Sequence, residues 1–204
     1  MLKIFLKVLL FFAGLILMVW VFMPWRQIGE AALLSALDNI PASVSYSTVG
    51  RARNGFVVNN LEIRNLMGMV DIYFRTLTIV PDIPASILGM APLSHVSFTG
   101  AEIGDIAITP RRNITGISPG SGHVTVSLNR QGIFLDGLRS DGDLAASGSL
   151  LINPSEMRII WANAAMGIRH EPFEENLSII ASVLDMPLQR EGPGLWSLHR
   201  ARTQ

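Results

Sequence analysis

Apolar residues recur at every second position through most of the chain after Ser43, and this period most strongly constrains the fold. The run Val124, Val126 and Leu128 alternates with polar residues without interruption. A period of two is typical of a β-strand that buries one face. Gly, Asn, Asp or Pro interrupt the pattern at spacings of roughly 8–12 residues, as turns between antiparallel strands do. The sequence therefore predicts a mainly β fold, an antiparallel meander of about eight short strands. Asn59–Asn60 is expected to form a bulge or kink.

Two short helices interrupt the predicted strands. Pro172–Leu184 has Pro at a favourable first position, acidic residues in its first turn and one apolar face. A shorter helix is predicted at Pro84–Leu88 and a last strand at Leu195–His199. The glycine-rich residues 116–122 lack the Lys and the following helix of a phosphate loop, and are predicted to form a long turn between strands.

The N-terminal segment Ile4–Met23 is apolar on every side and contains one charge, Lys7. About 20 apolar residues in a helix span the hydrocarbon core of a bilayer. Trp25 would lie at the far interface, and Pro24 would end the helix. The sequence therefore predicts a transmembrane signal anchor. Its representative membrane-spanning residues are Ile4, Lys7, Leu10, Phe12, Leu15, Leu17, Trp20, Phe22 and Met23.

A cleaved signal peptide is the main alternative for this segment. Cleavage requires small residues after the apolar run, whereas Phe22–Trp25 are bulky or restricted. The only two lysines, Lys3 and Lys7, lie at the N-terminal end, which predicts a cytoplasmic N-terminus and an exported C-terminal part. Three parts follow: an anchor at 1–25, an amphipathic connector helix at 26–42 and a β-rich domain at 43–204. The connector either packs on the domain or lies on the membrane surface.

Composition and motifs exclude most kinds of chemistry. The formal net charge is zero and 16% of residues are charged, so no cationic excess exists for binding nucleic acid. The chain has no cysteine, and its four histidines lack metal-ligand spacing. Asp141–Gly142–Asp143 is predicted to be a turn and not a calcium loop. We therefore expect no catalytic residues, no metal and no cofactor.

A sheet whose residues alternate in this way has one apolar face that must be buried. The helix at Pro172 could cover it, the sheet could curl on itself, a partner could pair with it, or it could bind lipid. The candidate apolar face consists of Val124, Val126, Leu128, Leu144, Ala146 and Leu150.

The arrangement as a whole resembles the type II secretion system protein N family (GspN). The residues that carry the resemblance, in addition to the anchor, are Ile40–Tyr46, Asn54–Phe56 with Leu61–Ile63, Thr78–Pro81, the short helix Ser86–Gly89, Gly100, Gly104, Gly142–Gly148, Met186–Leu188 and Gly194–Leu198. The opening at Gly55 and the meander also resemble AsmA-like periplasmic proteins, which are associated with lipid handling.

These resemblances imply two functions of different kinds. The first is a non-enzymatic accessory subunit of the type II secretion system, anchored in the bacterial inner membrane. It would act in the periplasm on other subunits, such as the C protein or the secretin. The second is an AsmA-like groove that binds lipid on the apolar face. Whether the helix at Pro172 covers that face would discriminate between them.

Overall fold

A computed structural model describes residues 42–53, 55–66, 70–89, 91–109, 112–129, 131–153, 158–183 and 186–200, and the single residues Met18, Gln27, Ala31 and Ser35. The described part is mainly antiparallel β-structure, as predicted. Its strands are β1 Ser43–Ser45, β2 Thr48–Ala52, β3 Gly55–Leu66, β4 Val70–Pro81, β5 Leu93–Ile103, β6 Ile106–Thr109, β7 Arg112–Ile114, β8 Ile117–Asn129, β9 Gly132–Ser140, β10 Leu144–Asn153, β11 Arg158–Ile168, β12 Leu188–Gly192 and β13 Leu195–Arg200.

Eleven of these strands form one sheet in the order β1-β3-β4-β5-β8-β9-β10-β11-β13-β12, with β2 also paired to β3. The central order follows the chain, because short turns join antiparallel neighbours. The hairpin β6–β7 comes between β5 and β8 in the chain and forms a separate two-stranded sheet. The prediction of about eight strands was therefore too low. The described residues form thirteen strands, and five of them, β1, β2, β6, β7 and β12, are only three to five residues long.

Both predicted helices are present in the described part. Helix α1 spans Ile83–Gly89 and helix α2 spans Glu171–Val183. Asp82 caps α1, because its Oδ1 accepts a 3.0 Å hydrogen bond from the N–H of Ala85. This bond, more than the nearby His95, holds the pKa of the Asp82 carboxyl below its usual range.

The prediction of a long turn at residues 116–122 was wrong, because β8 runs through most of this stretch. The glycines of this stretch allow neighbouring strands to lie close together. A Cβ atom at Gly122 would overlap the carbonyl oxygen of Arg139 and lie 2.6 Å from the ring of Phe98. Gly120 has a φ of +70°, next to a register shift between β5 and β8. Glycine in a strand often marks such a bulge or close contact, which composition alone does not distinguish from a turn.

The predicted irregularity at Asn59–Asn60 corresponds to a change of face within β3. Asn60 has a φ of +50°, while the pairing of Asn59 with Thr76 and of Leu61 with Phe74 keeps one register. Asn adopts this left-handed conformation more readily than most residues. Val58 and Leu61 therefore lie on the same face although they are three residues apart, and both belong to one apolar cluster.

Among the described residues, most of the buried apolar side chains form three clusters along the sheet. The edge cluster contains buried residues of β2 and β3, namely Val49, Phe56, Val58 and Leu61. The helix cluster joins α2 to the sheet through Ile114, Ile117, Ile168, Phe173, Leu177 and Ile180. The third cluster contains Ala162, Ala164 and Leu198 on β11 and β13.

Candidate interaction surfaces

The six residues of the predicted apolar face lie on β8 and β10, separated by β9. Leu135 on β9 is opposite Val126 on one side and opposite Leu150 on the other. Directly paired residues point to the same side of a sheet, so Val126, Leu135 and Leu150 form one row. Val124 and Leu128 share the face of Val126 by alternation, as Leu144 and Ala146 share that of Leu150.

Helix α2 covers one end of this face. Leu144 packs against the helix cluster, whereas Leu150 packs against the third cluster, farther along the sheet. Val124 is 9% exposed, while Leu128 at the other end of β8 is 50% exposed. The helix thus buries the end near Leu144 and leaves Leu128 accessible.

The opposite face of the sheet carries polar side chains. Ser97 on β5, His123 on β8, Arg139 on β9 and Ser147 on β10 are paired in one row. A pocket of about 450 Å³ is lined by residues 97–99 of β5, residues 121–123 of β8, the last two residues of β9 and Asp141, which follows β9. None of the six residues of the apolar face lines this pocket.

Three histidines, His95, His123 and His199, lie on strands of the main sheet. Nδ1 of His95 lies 3.2 Å from the Thr125 hydroxyl and its Nε2 lies 3.3 Å from the Asp82 carboxylate. His123 is opposite Arg139, and His199 is opposite Asn163. Across the ranges that the structure describes, no three His, Asp or Glu side chains are grouped closely enough to hold a metal ion.

Glu174 in the first turn of α2 connects the helix to the last two strands. Its Oε1 accepts hydrogen bonds from the N–H of Gly194 at 2.9 Å, from Nη2 of Arg190 at 2.9 Å and from Nε1 of Trp196 at 3.3 Å. The Arg190 guanidinium also lies 5.9 Å from the centre of the Trp196 ring. We call these four residues the Glu174 clamp.

The clamp lowers the pKa of Glu174, chiefly through the hydrogen bond from Gly194, with smaller contributions from Trp196 and Arg190. In the sequence, Glu174 is one of the acidic residues expected to suit the positive end of the helix. The sequence does not indicate its three donors, because they lie 16 to 22 residues later in the chain and reach Glu174 only in the tertiary fold.

Strand β12 forms one edge of the sheet and pairs only with β13 among the described strands. Gln189, Arg190 and Glu191 on it are exposed. An edge strand presents unpaired backbone groups that can accept another strand, and charged side chains reduce unspecific pairing. A short, charged edge strand of this kind can pair with a complementary strand and disfavours unspecific pairing.

The predicted transmembrane anchor lies outside the described residues. This applies to all nine of its named positions, Ile4, Lys7, Leu10, Phe12, Leu15, Leu17, Trp20, Phe22 and Met23. Met18 is described within this segment, and it is helical and 62% exposed. Within the described part of the chain, no helix has the length and apolar character needed to cross a bilayer.

Together, the 11-stranded sheet, its partial helical cover and its exposed edge define a β-rich domain. The chain belongs to the family described as type II secretion system protein GspN-like, Synergistales, whose profile matches residues 3–200. This match confirms the resemblance seen in the sequence. Comparison with curated proteins and with solved structures gives no match.

Proposed function

We propose that this protein is a non-enzymatic accessory subunit of a type II secretion system, held at the inner membrane by its N-terminal segment. The observation that carries the proposal is the family match over residues 3–200, which spans nearly the whole chain. In this proposal the β-rich domain lies in the periplasm and acts by contacting other subunits, with the C protein and the secretin as the two named candidates.

The exposed edge strand β12 is the contact surface that we assign to this function. Its backbone could pair with an extended segment of a partner, a mode of recognition that adds a strand to an existing sheet. The Glu174 clamp supports this role, because it fixes the β12–β13 hairpin on α2 through Arg190 and Gly194. A fixed edge loses less conformational entropy on binding than a mobile one.

Photocrosslinking in cells tests this assignment. A photoreactive amino acid replaces Gln189 on β12 in one strain of the native host, and replaces Glu102 on β5 in a second strain. Both side chains are exposed, but β5 lies inside the sheet between β4 and β8. We expect an adduct with a secretion-system subunit from position 189 and none from position 102. Equal adducts from both positions, or none from position 189, would contradict the assignment of β12.

Deletion of the gene tests the broader role separately. We expect substrates of the secretion system to accumulate, folded, in the periplasm, and the full chain to restore their release. Normal release in the deletion strain would contradict an accessory role in secretion. The lipid-binding alternative gains no support from the family match, and α2 covers the Leu144 end of the face on which it would depend.

A further inference from the structure

Large apolar side chains are exposed at one end of the main sheet, where helix α1 connects the end of β4 to the start of β5. We call this the α1 end. On the helix, Leu88 is 85% exposed and Ile83 is 40% exposed. Leu128, also exposed, lies beside the connection, because its N–H donates a 3.0 Å hydrogen bond to the carbonyl of Pro92. Apolar side chains that are exposed together, and not singly, are typical of a contact surface.

The connection that carries α1 is uncharged and firmly held. Residues 83–93 have the sequence IPASILGMAPL, in which Ser86 is the only polar side chain. The Ser86 hydroxyl donates to the carbonyl of Asp82 at 2.6 Å and accepts from the N–H of Leu93 at 2.9 Å. With the cap that Asp82 provides to Ala85, these bonds fix α1 on the sheet. Leu88 is therefore exposed on an ordered helix and not on a loose turn.

The strand ends and connections at the α1 end are positively charged. The described charged residues there are three arginines and one carboxylate, namely Arg53, Arg158, Arg200 and Asp82. The carboxylate caps α1, and its Oδ2 lies 3.3 Å from Nε2 of His95. In the sequence, the residues that directly follow β8, β10 and β13 add two arginines and one acid, namely Arg130, Arg202 and Glu156. Basic groups therefore outnumber acidic groups at this end.

The opposite end of the sheet, which carries α2, is negatively charged. The described residues that follow β5, β9 and β11 directly, together with α2, contain six acidic residues and one arginine, namely Asp105, Asp141, Asp143, Glu171, Glu174, Glu175 and Arg169. Strand β3 has 12 residues, so the two ends are about 40 Å apart. Although the formal net charge of the chain is zero, an anionic surface would attract the α1 end and repel the α2 end.

We propose that the α1 end of the sheet docks on the surface of an anionic phospholipid bilayer. Ile83 and Leu88 enter the boundary between headgroups and acyl chains, and Arg53 contacts lipid phosphates. Arg53 lies near α1, because Gly55 packs against the backbone of Val80. Exposed apolar residues with basic residues beside them are the combination that binds such surfaces. This contact differs from holding a lipid on the apolar face of the sheet, and it does not depend on a role in secretion.

A bilayer fits this surface better than a protein partner does. A stable protein interface takes about 800 Å² from each partner and needs matching shapes. Helix α1 has only seven residues, and its described residues expose two large apolar side chains. A bilayer needs no matching shape, and its binding strength is the sum of the buried apolar area and the attraction between basic residues and anionic lipids.

A fluorescent label next to Leu88 tests the contact in the full chain. The chain has no native cysteine, so G89C provides a unique thiol, and nothing lies within 4 Å of a Cβ at this position. The dye NBD is attached there, because its emission moves to shorter wavelength in apolar surroundings. The matched control carries NBD at E175C, since Glu175 is exposed on α2. Both proteins are reconstituted into vesicles of phosphatidylcholine alone or of an equal mixture with phosphatidylglycerol.

We expect the G89C label to emit at shorter wavelength in the mixed vesicles, and to be quenched by lipids that carry a spin label on the acyl chain. In phosphatidylcholine alone both effects should be several-fold weaker, because the attraction to anionic lipid is missing. The E175C label should show neither effect. Absence of quenching at G89C in the mixed vesicles, or equal quenching at both positions, would overturn the proposal. A wavelength shift without quenching would mean that protein covers α1, and would also overturn it.

Substitutions in the G89C background separate the apolar contact from the charge contact. L88D should weaken the quenching about tenfold, and the uncharged variant L88S should act in the same direction. L195D is the matched control, because Leu195 is 57% exposed at the α2 end, and it should leave the quenching unchanged. R53Q should weaken the quenching in the mixed vesicles, whereas R169Q at the opposite end should not.

The substituted side chains are exposed, so the melting temperatures of these variants should stay close to that of the parent protein. Undiminished quenching in L88D, L88S and R53Q would overturn the proposal. The measurement involves no secretion substrate and no other subunit. Its failure would therefore leave the proposed role in secretion to its own tests.

Discussion

The Oε1 atom of Glu174 accepts a 2.9 Å hydrogen bond from the backbone N–H of Gly194, which ties the first turn of α2 to the turn between β12 and β13. The same oxygen accepts the Trp196 indole N–H and one N–H of the Arg190 guanidinium. All three donors favour the ionised carboxylate. The pKa of Glu174 is therefore lower in the folded protein than the ordinary value of 4.5.

This shift predicts an acid-dependent loss of stability. A carboxyl whose pKa falls on folding stabilises the folded state above its unfolded pKa, and that contribution disappears as the pH drops through the folded pKa. We expect the melting temperature of the wild-type protein to fall more steeply than that of E174Q between about pH 5 and pH 3. Gln keeps an oxygen that can accept from Gly194 but does not titrate.

The neighbouring substitution E175Q is the matched control, since Glu175 is exposed on the same helix. Its pH profile should follow that of the wild-type protein. Parallel profiles for the wild-type protein and E174Q would show that the clamp contributes no pH-dependent stability.

Much of the fold could be predicted because local patterns determine it. Helix α2 begins one residue before the predicted Pro172 and ends one residue before Leu184, and β13 extends one residue past His199. Amphipathic period and helix-start residues act over a few positions, so the sequence reports them directly. The period of two predicts the strands β8 and β10 in the same way.

Features that depend on distant neighbours could not be predicted. The glycines at positions 116, 120 and 122 resemble turn residues in the sequence. In the fold, they are needed because neighbouring backbone lies too close to leave room for a side chain. The partners of Glu174 and the strand order β11-β13-β12 are likewise tertiary. Alternation identifies faces of a sheet, but it does not identify which strands become neighbours.

Ser140 is a buried polar residue whose hydrogen bonds stabilise the turn between β9 and β10. Its hydroxyl donates to the carbonyl of Leu144 at 2.8 Å and accepts from the N–H of Ala146 at 2.9 Å. S140A leaves both backbone groups without this partner, so we expect a loss of about 1–3 kcal/mol in the free energy of unfolding. Urea denaturation followed by circular dichroism measures the change. The exposed neighbour Ser147 gives the control S147A, for which a change within about 0.5 kcal/mol is expected.

Gly122 allows β8 to lie close to both of its neighbours. An added methyl group would overlap the Arg139 carbonyl oxygen and lie 2.6 Å from Cζ of Phe98. We expect G122A to destabilise the protein by about 1–3 kcal/mol, as overpacking does in a well-packed region. The control is G50A on β2, because nothing lies within 4 Å of the corresponding position. Similar melting temperatures for the two variants would mean that β8 can shift to accept a side chain.

Leu151 forms an apolar site on the otherwise polar face of the sheet. It is opposite Phe134 on one side and Trp161 on the other, and the centres of these two rings are 5.9 Å apart. Leu151 is consequently 1% exposed. Removing a fully buried Leu side chain loses its transfer free energy and leaves a cavity, so L151A should cost about 2–5 kcal/mol.

The matched control for this truncation is L195A, because Leu195 is 57% exposed. Its removal should cost well under half as much, since most of its surface already contacts water. Urea denaturation of both variants measures the difference. If L151A and L195A lose similar stability, the two rings do not shield Leu151 in solution, and the polar face has no apolar core of its own at this site.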